Sequence, residues 1–306
     1  MLKMPLLKIY LKIFVLASLL LLSSCAGQPS GPGRAEGQAT GEEKAGAENG
    51  AGNTEQDLKQ EPDNTAAEPA QEELIAIPRV GIYSGRGSWD VNVEAFKNFF
   101  SHYGIDYAVF DEEEAAMLDF REHFEIILFP GGFAAEYKNF IADHGNIRAF
   151  IEEGGLFVGS CAGAYYASDI LRWQGTDHEY PLKLFDGRGV GPLSGLVGWG
   201  EIAAFNLEQD HPANEGFEQS LDFYYFDGPY FEPYGGSVTI EVLARYDIND
   251  EPAVIAGRLG EGKYLLLGPH PELGGYSSDS PDFNKAGGEG AVWPWLHSSL
   301  LWLANW

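Results

Sequence analysis

Gly159-Ser160-Cys161-Ala162-Gly163-Ala164 places a thiol between two glycines, just after the apolar run Leu156-Phe157-Val158. That pattern suits a sharp strand-to-helix turn in which small residues two before and two after the nucleophile avoid a clash. A thiol at a helix start lies near free N–H groups and the positive end of the helix dipole, which favour thiolate over thiol. The same N–H groups can hold an oxyanion. The expected donors are the backbone amides of Ala162 and Gly132, the latter in Pro130-Gly131-Gly132. Gly268-Pro269-His270-Pro271-Glu272 supplies the remaining parts of such a site. Residues two apart in an extended segment point to one side, so Glu272 can orient His270 while the other ring nitrogen faces Cys161. Nucleophile, base and orienter make a thiol-based acyl-transfer site.

The elements needed to position these residues are legible nearby. Strands are expected over 78–83, 107–110, 124–129 and 156–159. Helices are expected over 93–103 and 146–153, with a further one from Cys161 to about residue 171. Strands alternating with helices predict an α/β fold with a mostly parallel sheet flanked by helices. Ligands in such sheets sit beyond the carboxyl ends of the strands. Ser84-Gly85-Arg86-Gly87, Pro130-Gly131-Gly132 and Ser160-Cys161-Ala162 all fall there. The second half is strand-rich, with strands expected over 195–205, 223–231, 238–246, 253–259 and 263–268. A hairpin turn is expected at Glu261-Gly262-Lys263, and a closing helix over 291–306.

At this point the resemblance to known proteins is visible. Phe129-Pro130-Gly131-Gly132, the run from Gly155 through Cys161 to Ala167, and Gly268-Pro269-His270-Pro271-Glu272 resemble the class I glutamine amidotransferase-like superfamily. Within it the chain resembles the biotin–protein ligase N-terminal domain family; Gly175-Thr176-Asp177 and Phe226-Asp227-Gly228-Pro229 match as well. The resemblance implies a flavodoxin-like fold, with Cys161 as nucleophile, His270 as base and Glu272 as third member. Working amidotransferases usually carry glutamine four residues after the cysteine, and this chain has Tyr165 there. Ala162-Gly163-Ala164 instead resembles the elbow of serine peptidases of the dipeptidase and cyanophycinase type. The expected function is therefore hydrolysis of an amide or peptide-like bond. Two alternatives stand beside it: a non-catalytic small-ligand binding protein on the same fold, and an amidotransferase-type glutaminase.

Other segments define the setting. Residues 1–24 read as a lipoprotein signal peptide, with Lys3, Lys8 and Lys12 before an apolar run over 13–22. Leu22-Ser23-Ser24-Cys25 resembles a bacterial lipobox, with Cys25 as the lipidated residue. Residues 25–76 lack aromatic side chains and read as a disordered tether. Residues 77–306 form the expected folded domain. This arrangement predicts an extracytoplasmic protein of the cell envelope, held to the membrane by lipid. Ala26 after the cysteine points to the outer membrane if the organism has one. A net charge of −27 argues against nucleic acid as a partner. With two cysteines in the chain, lipidation of Cys25 leaves Cys161 without an intrachain partner.

Tyr137 and Asp227 join Tyr165 as candidate substrate-binding residues, with Glu136 and Tyr230 nearby. Asp177-His178-Glu179 has no companion cluster at zinc-like spacing, so no metal or other cofactor is expected. Ser277-Ser278-Asp279-Ser280 reads as a solvated loop.

Overall fold

A computed structural model of the chain describes residues 79–235, 239–274 and 292–306. All of them belong to the compact unit Ala70–Trp306. The expected signal, Cys25, the tether and the serine-rich loop over 277–280 lie outside the described residues.

The main sheet has nine strands. Five of them are parallel neighbours: β2 (Tyr107–Phe110), β1 (Val80–Tyr83), β3 (Ile126–Phe129), β4 (Leu156–Ser160) and β13 (Gly262–Leu267). The sheet continues antiparallel through β12 (Pro252–Leu259), β11 (Glu241–Tyr246), β8 (Glu201–Leu207) and β9 (Ser220–Tyr225). The sheet is thus parallel from β2 to β13 and antiparallel from β12 to β9, in keeping with the expected α/β fold and its strand-rich second half.

The central strands read as unbroken apolar runs because both their faces are covered. Side chains alternate between the faces. Ile126, Leu128, Leu156 and Val158 enter one hydrophobic cluster, while Ile127, Phe129 and Phe157 enter the other. Helix α1 (Asp90–His102) covers the first cluster with Val93, Phe96, Phe99 and Phe100, at helical spacing. The second cluster is covered by Ala134 and Tyr137, by Ile147, Phe150 and Ile151, and by the alanines and tyrosines after Cys161. Two short helices, α2 (Glu112–Met117) and α3 (Phe120–His123), follow β2. Asp111 and Glu114 close a capping box at the start of α2. Then come α4 (Ala134–Phe140), α5 (His144–Glu152), α6 (Ala162–Ala167) and, at the C-terminus, α7 (Val292–Asn305).

Helix α6 ends at Ala167, not near residue 171. Ser168 returns its hydroxyl to the Ala164 carbonyl at 3.1 Å and turns extended, starting β5 (Ser168–Trp173). β5 belongs to a second sheet of four strands with β6 (Thr176–Glu179), β7 (Phe185–Gly191) and β10 (Tyr230–Pro233). The expected single strand over 223–231 is two strands, because Asp227 adopts a positive φ of 59° between β9 and β10. The tight turn before β13 is Gly260-Glu261, with Gly262 already paired to Leu259. Asp177 is tied up in ion pairs, 2.6 Å from Arg172 and 3.7 Å from Arg188.

Candidate active site

β4 runs straight into Cys161, which has φ 47° and ψ −98°, and α6 begins at the next residue. A non-glycine residue with such angles is strained, and the fold holds it there. Gly159 and Gly163 make the turn possible: a β-carbon on Gly163 would run into the Phe129 carbonyl, and one on Gly159 into the backbone of Gly163. The Cys161 amide donates to the Leu267 carbonyl at 2.8 Å. That bond ties the elbow to β13, the strand that leads to His270.

His270 is fixed by its amide, which donates to the Tyr224 carbonyl at 3.0 Å. A 3-10 turn, Pro271–Leu273, then brings Glu272 back beside it. His270 Nδ1 lies 2.8 Å from Glu272 Oε1, and both side chains are fully buried. Burial pulls the imidazole pKa down, but the nearby charges of Glu272 and Cys161 outweigh it and raise the value to about 10. The imidazolium form is thus the one this pocket stabilises. Nε2 is buried without a hydrogen-bond partner among the described residues, and the charge of Cys161 acts on the ring together with that of Glu272. The Cys161 thiol lies 3.5 Å from the Phe226 carbonyl, which can accept a hydrogen bond from it.

Two further residues complete the carboxylate's surroundings. Asn92 Nδ2 lies 2.8 Å from Glu272 Oε1 and 2.9 Å from His270 Nδ1. With Nδ1 protonated, both N–H groups donate to Oε1 and the assignment is consistent. Ser160 Oγ lies 3.2 Å from each Glu272 oxygen. The sequence reading missed both roles. A signal for Asn92 exists: it is a polar residue four before Phe96 on the apolar face of α1, where it is buried.

The remaining candidates occupy distinct places. Gly131 abuts the imidazole so closely that a β-carbon there would meet His270 Cε1. The bridge between Ser88 and Gly132 uses Trp89 N–H to Gly131 O and Phe133 N–H to Gly87 O, which leaves the Gly132 amide outside it. Ala162 is the first residue of α6, so its amide has no carbonyl within the helix to bond. Tyr165 is buried and donates its hydroxyl to the Asp227 carbonyl at 2.9 Å. Asp227 is half-buried, and desolvation raises its carboxyl pKa. Tyr137 is fully buried and gives its hydroxyl to the Pro130 carbonyl at 2.9 Å, which braces the glycine turn. Tyr230 lies on β10 with its hydroxyl 3.3 Å from Glu232.

Comparison with known proteins agrees with this architecture. A glutamine amidotransferase crystal structure superposes with a TM-score of 0.51 at 21% identity, covering 74% of this chain and 99% of that one. A ThuA-like protein from Bacteroides uniformis gives a TM-score of 0.51 at 17% identity, covering 77% and 95%. At those identities the likeness is one of fold, and the fold is glutamine amidotransferase-like. Among curated proteins, the chain is 24% identical to a biotin–protein ligase of Schizosaccharomyces pombe over 180 residues, which are 52% of this chain and 27% of that protein. It is 31% identical to an uncharacterized protein of Chlamydia muridarum over 163 residues, 48% of this chain and 60% of that one. The matches thus span about a quarter and three-fifths of these relatives' lengths. The family model described as "Biotin-protein ligase, N terminal" matches residues 78–288, most of the folded unit, and the chain belongs to that family.

Proposed function

We propose that this protein is a thiol-dependent hydrolase of an amide or peptide-like bond, anchored by lipid at Cys25 on the extracytoplasmic side of the cell envelope. The observation that carries the reading is the buried His270–Glu272 pair at 2.8 Å, set beside a strained cysteine at a strand-to-helix elbow. Cys161 attacks the acyl carbon as the thiolate, its proton already held on His270 Nε2 in the resting ion pair. The amides of Gly132 and Ala162 hold the oxyanion. His270 then protonates the leaving amine. Water, deprotonated by His270, attacks the thioester, releases the acid and restores the thiol. Glu272 holds the imidazole in the correct tautomer throughout.

A second reading is favoured by one observation. Cys161 is 4% exposed and its thiol lies against the Phe226 carbonyl, an arrangement that also suits a closed, non-catalytic ligand pocket. Incubation of full-length protein with a panel of small amides and dipeptides, glutamine included, separates the readings by mass spectrometry of the products. Turnover that drops about a thousandfold or more in Cys161→Ala supports the hydrolase. Glutamine as the preferred substrate supports the glutaminase alternative. No turnover together with a raised melting temperature in one member of the panel supports the binding protein.

A further inference from the structure

We propose that Trp89, Phe133, Trp199 and Phe226 form an aromatic subsite that binds a flat aromatic ring carried by the substrate beside Cys161. The inference rests on the hydrolase reading for its placement, not for its existence. Four separate chain segments contribute these rings. Trp89 is the residue before α1, Phe133 the residue before α4, Trp199 precedes β8 and Phe226 follows β9. Trp89 meets Phe133, Trp199 and Phe226 edge-to-face, with centroids 5.8, 6.3 and 6.1 Å apart. Trp199 meets Phe226 at 5.0 Å. Phe226 connects this collar to the chemistry: its ring stands edge-on to His270 at 5.3 Å, and its carbonyl is the acceptor facing the Cys161 thiol.

The collar is not an extension of the two main cores. Phe226, Tyr224, Ala95 and Leu273 form a small third cluster, against which Trp89 packs. Its outer rings lie in water, Trp199 at 64% exposure and Phe133 at 44%. Single exposed apolar residues are ordinary, but contiguous rings that end on a buried imidazole form a patch suited to a ligand. An aromatic substituent meets such rings in the offset or edge-to-face geometry they already use among themselves.

The test uses full-length protein carrying Cys25→Ala, so that Cys161 is the sole thiol. Alkylation rates with iodoacetamide and with N-benzyliodoacetamide are measured, each relative to free cysteine. The benzyl reagent is expected to gain about fivefold over the small one. That gain should vanish in Trp199→Ala and Phe133→Ala. It should persist in Met117→Ala, which alters an exposed apolar side chain on α2. A gain that survives both collar variants, no gain at all, or a larger gain for a trimethylammonium-bearing reagent overturns the proposal. If neither reagent reaches Cys161, the hydrolase reading suffers, and the subsite is read by thermal shift. A rise with N-acetylphenylalaninamide but not N-acetylalaninamide, lost in Phe133→Ala, supports the subsite; equal shifts with both, or none, overturn it.

Discussion

Nδ1 of His270 lies 2.8 Å from Oε1 of Glu272 in a site closed to water. A buried carboxylate is costly unless its oxygens are fully engaged. Here the imidazole, the Asn92 amide and the Ser160 hydroxyl all converge on it. Ser160 adjoins the nucleophile and Asn92 comes from α1, so the carboxylate joins three parts of the fold around one imidazole.

This pair should make stability depend on pH in a defined direction. The folded-state pKa of His270 is raised to about 10, above the ordinary 6.5. The folded protein therefore binds this proton more tightly than the unfolded chain does. The contribution is full below about pH 6.5 and is lost as pH rises toward about 10. Denaturant unfolding between pH 6 and 10 should show stability falling from about pH 6.5 upward. Glu272→Gln should lower stability at neutral pH by about 3 kcal/mol and flatten the decline. Parallel curves for wild type and variant would mean that the pair does not hold the proton.

Gly131→Ala should separate activity from folding. The added methyl would point at His270 Cε1 while β3 and its neighbours remain packed. Thiol-dependent turnover should drop by about a hundredfold or more, since the base is displaced from its working geometry. The loss in stability should stay within about 1–3 kcal/mol, the usual range for overpacking. Kinetics alongside a melting curve check this. Wild-type turnover in Gly131→Ala would show that the His270 position is not critical.

Much of this site was legible because each part has a local signature. Gly159, Cys161 and Gly163 announce an elbow through their spacing, and His270 with Glu272 through their two-residue separation. What was not legible depends on long-range contact. Asn92 reaches Glu272 from 180 residues away, and only the fold joins them. The helix after Cys161 was expected to run on because alanine and tyrosine do not stop a helix. Ser168 stops it, through a hydroxyl bond to Ala164 and through pairing of β5 with β7, a strand rich in glycine. Glycine weakens the ordinary strand signal, which is why β7 was missed. Apolar runs mark buried strands but not their direction, so the antiparallel pairing of β12, β11, β8 and β9 is set by the fold.

The anchoring proposal has its own test. Metabolic labelling with a fatty acid should mark the wild-type chain and not Cys25→Ala, and only the wild type should remain with membranes after a high-salt wash. Equal label in both would remove Cys25 as the anchor.

The central claim is that Cys161, His270 and Glu272 act as one nucleophilic unit, and acyl trapping tests it most directly. Full-length protein carrying Cys25→Ala is mixed with p-nitrophenyl acetate, quenched in acid and mapped by mass spectrometry. The thiol sulfur takes the acetyl group and p-nitrophenol leaves. The expected result is one acetyl group on Cys161, formed rapidly in the parent. Its formation should slow by about a hundredfold or more in His270→Gln, and by less in Glu272→Gln, with all three proteins still folded. Acetylation of Cys161 at the same rate in the parent and in His270→Gln, or no acetylation of Cys161 at all, would contradict the account.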